Sequence, residues 1–265
     1  MSAGTATNAT VFGLEEGTAY YFAATCFDAE GLESDYSNEV SYRVPGANQP
    51  PTLTALANLT LNENAGLQTV SLSGISSGAA NEVQTLTVTA SSSDTGLIPN
   101  PIVNYTSPDA TGSIAFTPAP YAYGSATLTV TVNDGGASNN VLVRSFTVTV
   151  NQLPTISAIS NLVIAVDTQT RAIPFTIGDR ETASTNLTLS GASSNQALVR
   201  DADIIFGGSG TNRSVTITPV AGQAGITDIG VSVSDGVGIA TRTFQLSVQM
   251  KPKPPASVRI ALGVP

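Results

Sequence analysis

The sequence predicts an all-β chain of tandem antiparallel β-sandwiches strung in an elongated array. Three observations carry this. Apolar residues alternate with Thr and Ser over many short runs, as in Leu128-Thr129-Val130-Thr131-Val132 and Phe146-Thr147-Val148-Thr149-Val150. Such a period of two places one face of a strand in a core and the other in water. A block of about 100 residues is repeated. Charged residues make up only 11% of the chain, against about 25% in ordinary soluble proteins. No amphipathic stretch at helical spacing interrupts the strands.

Taken in order, residues 1–46 form a segment of their own. The runs at residues 9–14, 19–25 and 37–42 read as three strands. The first repeat covers residues 47–150 and the second residues 151–250. Asn48-Gln49-Pro50-Pro51-Thr52-Leu53 returns as Asn151-Gln152-Leu153-Pro154-Thr155-Ile156. Phe116-Thr117-Pro118 returns as Ile217-Thr218-Pro219, and Val132-Asn133-Asp134-Gly135 as Val233-Ser234-Asp235-Gly236. Phe146-Thr147-Val148-Thr149-Val150 returns as Phe244-Gln245-Leu246-Ser247-Val248. Landmarks in one order and near one spacing mark a duplication. The Asp-Gly steps lie between alternating runs and predict hairpin turns. Gly207-Gly208-Ser209-Gly210 reads as a loop. About seven strands in each repeat, joined by short turns, suit a two-sheet sandwich. Residues 251–265 are a stiff Pro-rich linker followed by one strand-like run, Ser257-Val258-Arg259-Ile260-Ala261-Leu262.

The composition excludes most chemistry. The chain has no His, no Trp and one Cys. It therefore lacks the usual general base near neutral pH, His-assisted nucleophiles and multi-thiolate zinc sites. Cys26, among alternating aromatics and alanines, reads as a buried core residue, with a reactive thiol or an intermolecular bridge as the alternative. A net charge of −9 disfavours phosphate backbones and anionic lipid. No apolar run reaches the length of a membrane span. No secretion signal opens the chain, so export would rely on one outside this segment. Paired carboxylates alone do not make a glycosidase, and the sequence is read as non-catalytic. Tyr105, Tyr121 and Tyr123 are the candidates for stacking on a ligand, with a core or corner role the simpler reading.

Residues 1–46 resemble the C-terminal half of a fibronectin type III domain. The resemblance rests on Leu14-Glu15-Glu16-Gly17-Thr18-Ala19-Tyr20-Tyr21-Phe22, Asp28-Ala29-Glu30-Gly31-Leu32 and Ser37-Asn38-Glu39-Val40. It implies that Tyr20 packs in a core. The two repeats resemble cadherin-like or immunoglobulin-like tandem modules of large bacterial surface and secreted proteins. Their shared pattern is Asn-x-x-Pro-Thr at the start, Thr-Pro before a turn, an Asp-Gly hairpin, then Phe-x-Val-x-Val. In calcium-binding relatives, carboxylates at the module junction hold the ion. That implies Asp179, Glu181 and Asp235 as candidate Ca2+ ligands in repeat 2; in repeat 1 Ser77 stands where an acid is wanted, leaving Glu82 and Asp134. The alternative is that they are turn residues, Asp235 capping its own turn. Asp201 and Asp203 form a further acidic pair open to the same two readings.

The function implied is a structural or adhesive segment of an extracellular or cell-surface protein. Its partners would be other modules of the same or a longer chain, with neither nucleic acid nor membrane insertion. Three strands of a fibronectin module do not close a core, and an unpaired edge recruits strands. Either the segment belongs to a longer protein, or it is completed by the strand at residues 257–262 of a neighbour, giving a head-to-tail fibre. A weak carbohydrate- or protein-binding module acting through loop tyrosines is a third reading.

Overall fold

The computed structural model describes residues 4, 6, 8–44, 46–80 and 82–252. The strand at residues 257–262 lies outside the described residues. No described helix is long and apolar enough to cross a membrane.

The first segment forms one antiparallel pair, β1 (Ala19–Phe22) and β2 (Val40–Arg43), with Tyr20 opposite Tyr42. Three strands were expected, but residues 9–14 form none and Phe12 is exposed. A strand needs a ladder partner, and this run has none among the described residues. Beyond Phe22 serine side chains alternate with backbone bonds such as Ser37 N–H to the Ala24 carbonyl at 2.8 Å. Ala24 N–H donates to Ser37 Oγ at 2.9 Å and Cys26 N–H to Ser34 Oγ at 2.9 Å. Cys26 is exposed, not buried, because no second sheet faces it among the described residues. Tyr20 is half-buried for the same reason. Its ring stacks on Phe22 with centroids 6.3 Å apart. Its hydroxyl oxygen accepts the Glu15 N–H at 2.9 Å, the corner bond by which a tyrosine pins the chain just upstream of its strand.

Repeat 1 consists of β3 (Leu59–Asn62), β4 (Gln68–Ser73), β5 (Thr87–Ser92), β6 (Ile102–Asn104), β7 (Thr111–Phe116), β8 (Gly124–Asn133) and β9 (Val141–Asn151). One sheet has the order β3-β9-β8-β5 and the other β4-β7-β6. Repeat 2 consists of β10 (Thr155–Ile156), β11 (Leu162–Ala165), β12 (Ile173–Gly178), β13 (Thr188–Ser193), β14 (Ile204–Ser209), β15 (Asn212–Ile217), β16 (Gly225–Ser234) and β17 (Ile239–Gln249). Its sheets are β11-β17-β16-β13 and β10-β12-β15-β14. The bridge between Thr52 and Ser76 stands in repeat 1 where β10 pairs with β12 in repeat 2. The chain is thus all-β, with two sandwiches in tandem.

The alternation read in the sequence sets the cores. Leu128, Val130 and Val132 of β8 and Phe146, Val148 and Val150 of β9 are buried, as are Ile229, Val231, Val233, Phe244, Leu246 and Val248 of β16 and β17. Each such side chain stabilises its sandwich by about 1.5–3 kcal/mol relative to exposure. The opposite face carries hydroxyls that pair across the strands. Ser125 meets Thr149 at 3.1 Å, Thr129 meets Ser145 at 3.1 Å, and Ser232 meets Thr241 at 2.8 Å.

In each repeat one four-stranded sheet sets its first strand parallel to its last, β3 beside β9 and β11 beside β17. A guanidinium on each last strand ties it to the start of its repeat: Arg144 Nε donates to the Leu53 carbonyl at 3.2 Å, Arg242 Nε to the Ile156 carbonyl at 3.1 Å. Gly207 and Gly208, expected in a loop, lie in β14, which pairs with β15 as far as Ser209 opposite Asn212. Gly208 has φ +84° and a Cβ there would fall on Asn212 O, so the glycine serves a close backbone approach.

Candidate functional site

Residues 152–154 join β9 to β10, and the sequence candidates of repeat 2 cluster around this joint. Asn151 ends β9, opposite Asn62 at the end of β3, and is buried. A buried amide has to find partners. Its Nδ2 donates to Asn62 Oδ1 at 3.2 Å within repeat 1 and to Asp235 Oδ2 at 2.8 Å in repeat 2. The linker's own donors are also used. Gln152 N–H donates forward to Glu181 Oε1 at 3.2 Å, and Leu153 N–H donates backward to Glu63 Oε1 at 3.1 Å. Pro154 carries no N–H. Arg180 Nη1 donates to the Tyr123 hydroxyl at 2.6 Å, and its guanidinium carbon lies 5.5 Å from that ring's centroid. Gly238 closes against the joint: a Cβ there would fall on Leu153 Cδ2 and within 2.9 Å of Asn62 Oδ1.

Asp235 sits at the centre of this set. Its Oδ1 accepts the N–H groups of Val237 at 2.7 Å and Gly238 at 2.6 Å, so it caps its own hairpin turn while Oδ2 holds Asn151. Burial pushes its pKa up, but hydrogen bonds from Asn151 and from the Gly238 and Val237 backbone outweigh it and leave the carboxyl below its ordinary value.

The three proposed calcium ligands share one neighbourhood but not one coordination sphere. Asp179 Oδ1 accepts the N–H groups of Glu181 at 2.9 Å and Thr182 at 2.6 Å. Its Oδ2 is buried without a hydrogen-bond partner. Glu181 and Asp235 are engaged as described. Ca2+ takes six to eight oxygens, and among the described residues no group of three or more acidic, Cys or His side chains gathers to hold a metal. Backbone N–H groups hold Asp179 Oδ1 and Asp235 Oδ1, and the Asn151 side chain holds Asp235 Oδ2. Asp201 Oδ1 accepts from Gln196 Nε2 at 2.6 Å and Ser193 N–H at 2.7 Å. Those bonds hold its carboxyl below the ordinary value.

Repeat 1 begins with the same grammar turned inward. Asn48 Nδ2 donates to both oxygens of buried Asp134, at 3.3 and 3.2 Å, and to the Ser138 carbonyl at 2.8 Å. Glu82 Oε1 accepts Gln49 N–H at 2.7 Å, as Glu181 accepts Gln152. Ser77 Oγ donates to the Glu82 carbonyl at 2.9 Å.

Of the tyrosines, Tyr105 packs on the repeat 1 core and Tyr123 holds Arg180. Tyr121 is 77% exposed with φ +58°. Its N–H donates to Asn64 Oδ1 at 2.9 Å, and in repeat 2 the same bond runs from Gly222 to Asp167 Oδ1 at 2.7 Å. Repeat 1 thus keeps a tyrosine in a left-handed turn position that repeat 2 gives to glycine.

Sequence reasoning missed Asn62, Glu63, Asn151 and the Arg180–Tyr123 pair. The signal lay in disagreements between the copies. Ala165 and Val166 of repeat 2 take the ladder positions of Asn62 and Glu63, as shown by their pairing with Gln249. Ala224 precedes Gly225 as Tyr123 precedes Gly124.

No family model matches the chain, and no curated protein matches it. Among solved structures it is similar to an I-band fragment of titin at 11% identity and TM-score 0.48, covering 90% of this chain and 77% of that one. It is similar to extracellular domains 3–5 of Drosophila OTK at 11% identity and TM-score 0.43, covering 87% and 71%. It is also similar to an endo-fucoidan hydrolase of glycoside hydrolase family 107 at 16% identity and TM-score 0.29, covering 89% and 34%.

Proposed function

We propose that the chain is a load-bearing spacer of an extracellular or cell-surface protein, holding other modules at a distance. One observation carries this reading: β3 and β9 in repeat 1, and β11 and β17 in repeat 2, are parallel neighbours. Tension on the two ends of a repeat then pulls β3 and β9, or β11 and β17, past each other along their length. Their hydrogen bonds are loaded together in shear instead of opening one by one. The test is single-molecule extension of the full chain. Two abrupt events, each lengthening it by about 300 Å at about 3.3–3.6 Å per residue, are expected. Gradual low-force peeling removes the reading.

Two finer readings each have an observation behind them. Phe12, Tyr21, Phe27, Leu32 and Tyr36 are exposed in the first segment, which favours self-association into a fibre. A mass that grows with concentration, and reverts on deleting residues 251–265, supports strand donation; a constant monomer mass removes it. The strained, exposed Tyr121 favours a weak recognition surface, and loss of glycan-array binding in Tyr121→Gly tests that.

A further inference from the structure

The duplicated repeats are alike inside and unlike at their poles, and the differences fall where the two meet. We propose that repeats 1 and 2 are a dedicated pair, locked by a hydrogen-bonded clasp into one rigid body at this joint. The inference is independent of whether the chain bears load.

The first ground is the linker itself. A flexible tether leaves its backbone donors to water. Here the donor of Gln152 is held by repeat 2 through Glu181 and that of Leu153 by repeat 1 through Glu63. Pro154 is buried. With every linker donor accounted for, turning one repeat against the other breaks a bond to a carboxylate on one side or the other.

The second ground is that side chains span the joint from several directions. Asn151 bridges Asn62 and Asp235, and Arg180 reaches from the turn after β12 to Tyr123. Gly238 lets the β16–β17 hairpin close on Leu153 and Asn62. Ties on different sides restrain both bending and twisting, whereas a single tie leaves a swivel.

The third ground is that the copies do not share the clasp. At its far pole repeat 2 carries Ala165, Val166, Ala224 and Gln249 where repeat 1 has Asn62, Glu63, Tyr123 and Asn151. At its leading pole repeat 1 has Gly78 where repeat 2 has Arg180, two residues beyond the bridged Ser76 and Gly178 respectively. The Asn48 amide is spent on Asp134 and Ser138 of its own repeat. The same fold therefore exists with and without these residues, so they are not needed to build a sandwich.

The experiment is residual dipolar coupling on the full chain, with and without a chelator and with added Ca2+. The wild-type repeats should fit a single alignment tensor in all three conditions. The double variant Glu63→Val, Arg180→Gly installs at each position the residue that the other copy already tolerates. It should keep the amide shifts of both cores yet require two tensors. A wild type needing two tensors overturns the proposal. So does a variant that keeps one tensor, or a joint that is rigid only with Ca2+.

Discussion

Tyr121 holds φ at +58°, where a Cβ crowds the following carbonyl at a cost of about 1–2 kcal/mol. What the ring contributes in return is small, since the residue is 77% exposed. The hydrogen bond to Asn64 uses the backbone N–H and survives any substitution except proline. Glycine removes the crowding but widens the unfolded ensemble, which offsets about 0.4–1 kcal/mol. Tyr121→Gly should therefore stabilise repeat 1 by about 0.5–1 kcal/mol, raising its transition by about 2–6 °C. The converse is available in the same molecule. Gly222 has φ +71° and nothing within 4 Å of an added Cβ, so Gly222→Ala meets strain without a clash and should destabilise repeat 2 by about 1 kcal/mol. Calorimetry and urea unfolding of both variants measure this. A less stable Tyr121→Gly, or a neutral Gly222→Ala, would refute the argument, since either shows that the turn conformation is not what sets the energy.

Four further outcomes are expected. Leu128 is fully buried, and Leu128→Ala should lower the stability of repeat 1 by about 2–5 kcal/mol in urea unfolding; a loss under about 1 kcal/mol contradicts the packing described. The depressed pKa of Asp235 contributes stability that is fully present above its unfolded value, about 3.9, and lost as pH falls through the lower folded value. Acid melts of wild type and Asp235→Asn should converge over that window, and parallel curves count against the assignment. Because the carboxylates of the joint serve N–H donors, Ca2+ and chelator should leave the melting temperature within about 1 °C, and a rise of several degrees overturns this. Cys26 is exposed and should react stoichiometrically with a thiol reagent in the folded protein; protection until unfolding refutes its placement.

The long strands were legible because a strand buried on one face cannot avoid a period of two. Val130 and Val132, or Val231 and Val233, announce β8 and β16 without any knowledge of their neighbours. The Asp-Gly turns were legible because the local chemistry of a hairpin suffices. What depends on a distant partner was not. Residues 9–14 alternate like a strand yet have no ladder partner among the described residues. Cys26 looks like core only if a second sheet covers it. Gly207 and Gly208 imitate a loop, but opposite β15 they permit a tight backbone approach. Asp179, Glu181 and Asp235 were singled out through a resemblance, and only the folded chain shows how near their loops lie to the joint. Which way their oxygens face was settled by N–H donors that no spacing rule reveals. The joint was written in the mismatches between copies, which a search for similarity passes over.

The outer sheet faces hold a last consequence. Rows of Ser and Thr cross-link neighbouring strands there, in places where many proteins set lysine against glutamate. The one ion pair among the described residues, Arg200 with Asp203 at 3.8 Å, is exposed and contributes little. Dissolved ions weaken attraction between opposite charges over distances of about 10 Å, but a hydroxyl lattice offers them almost nothing to weaken. These cross-links should hold equally firm in fresh water and in brine.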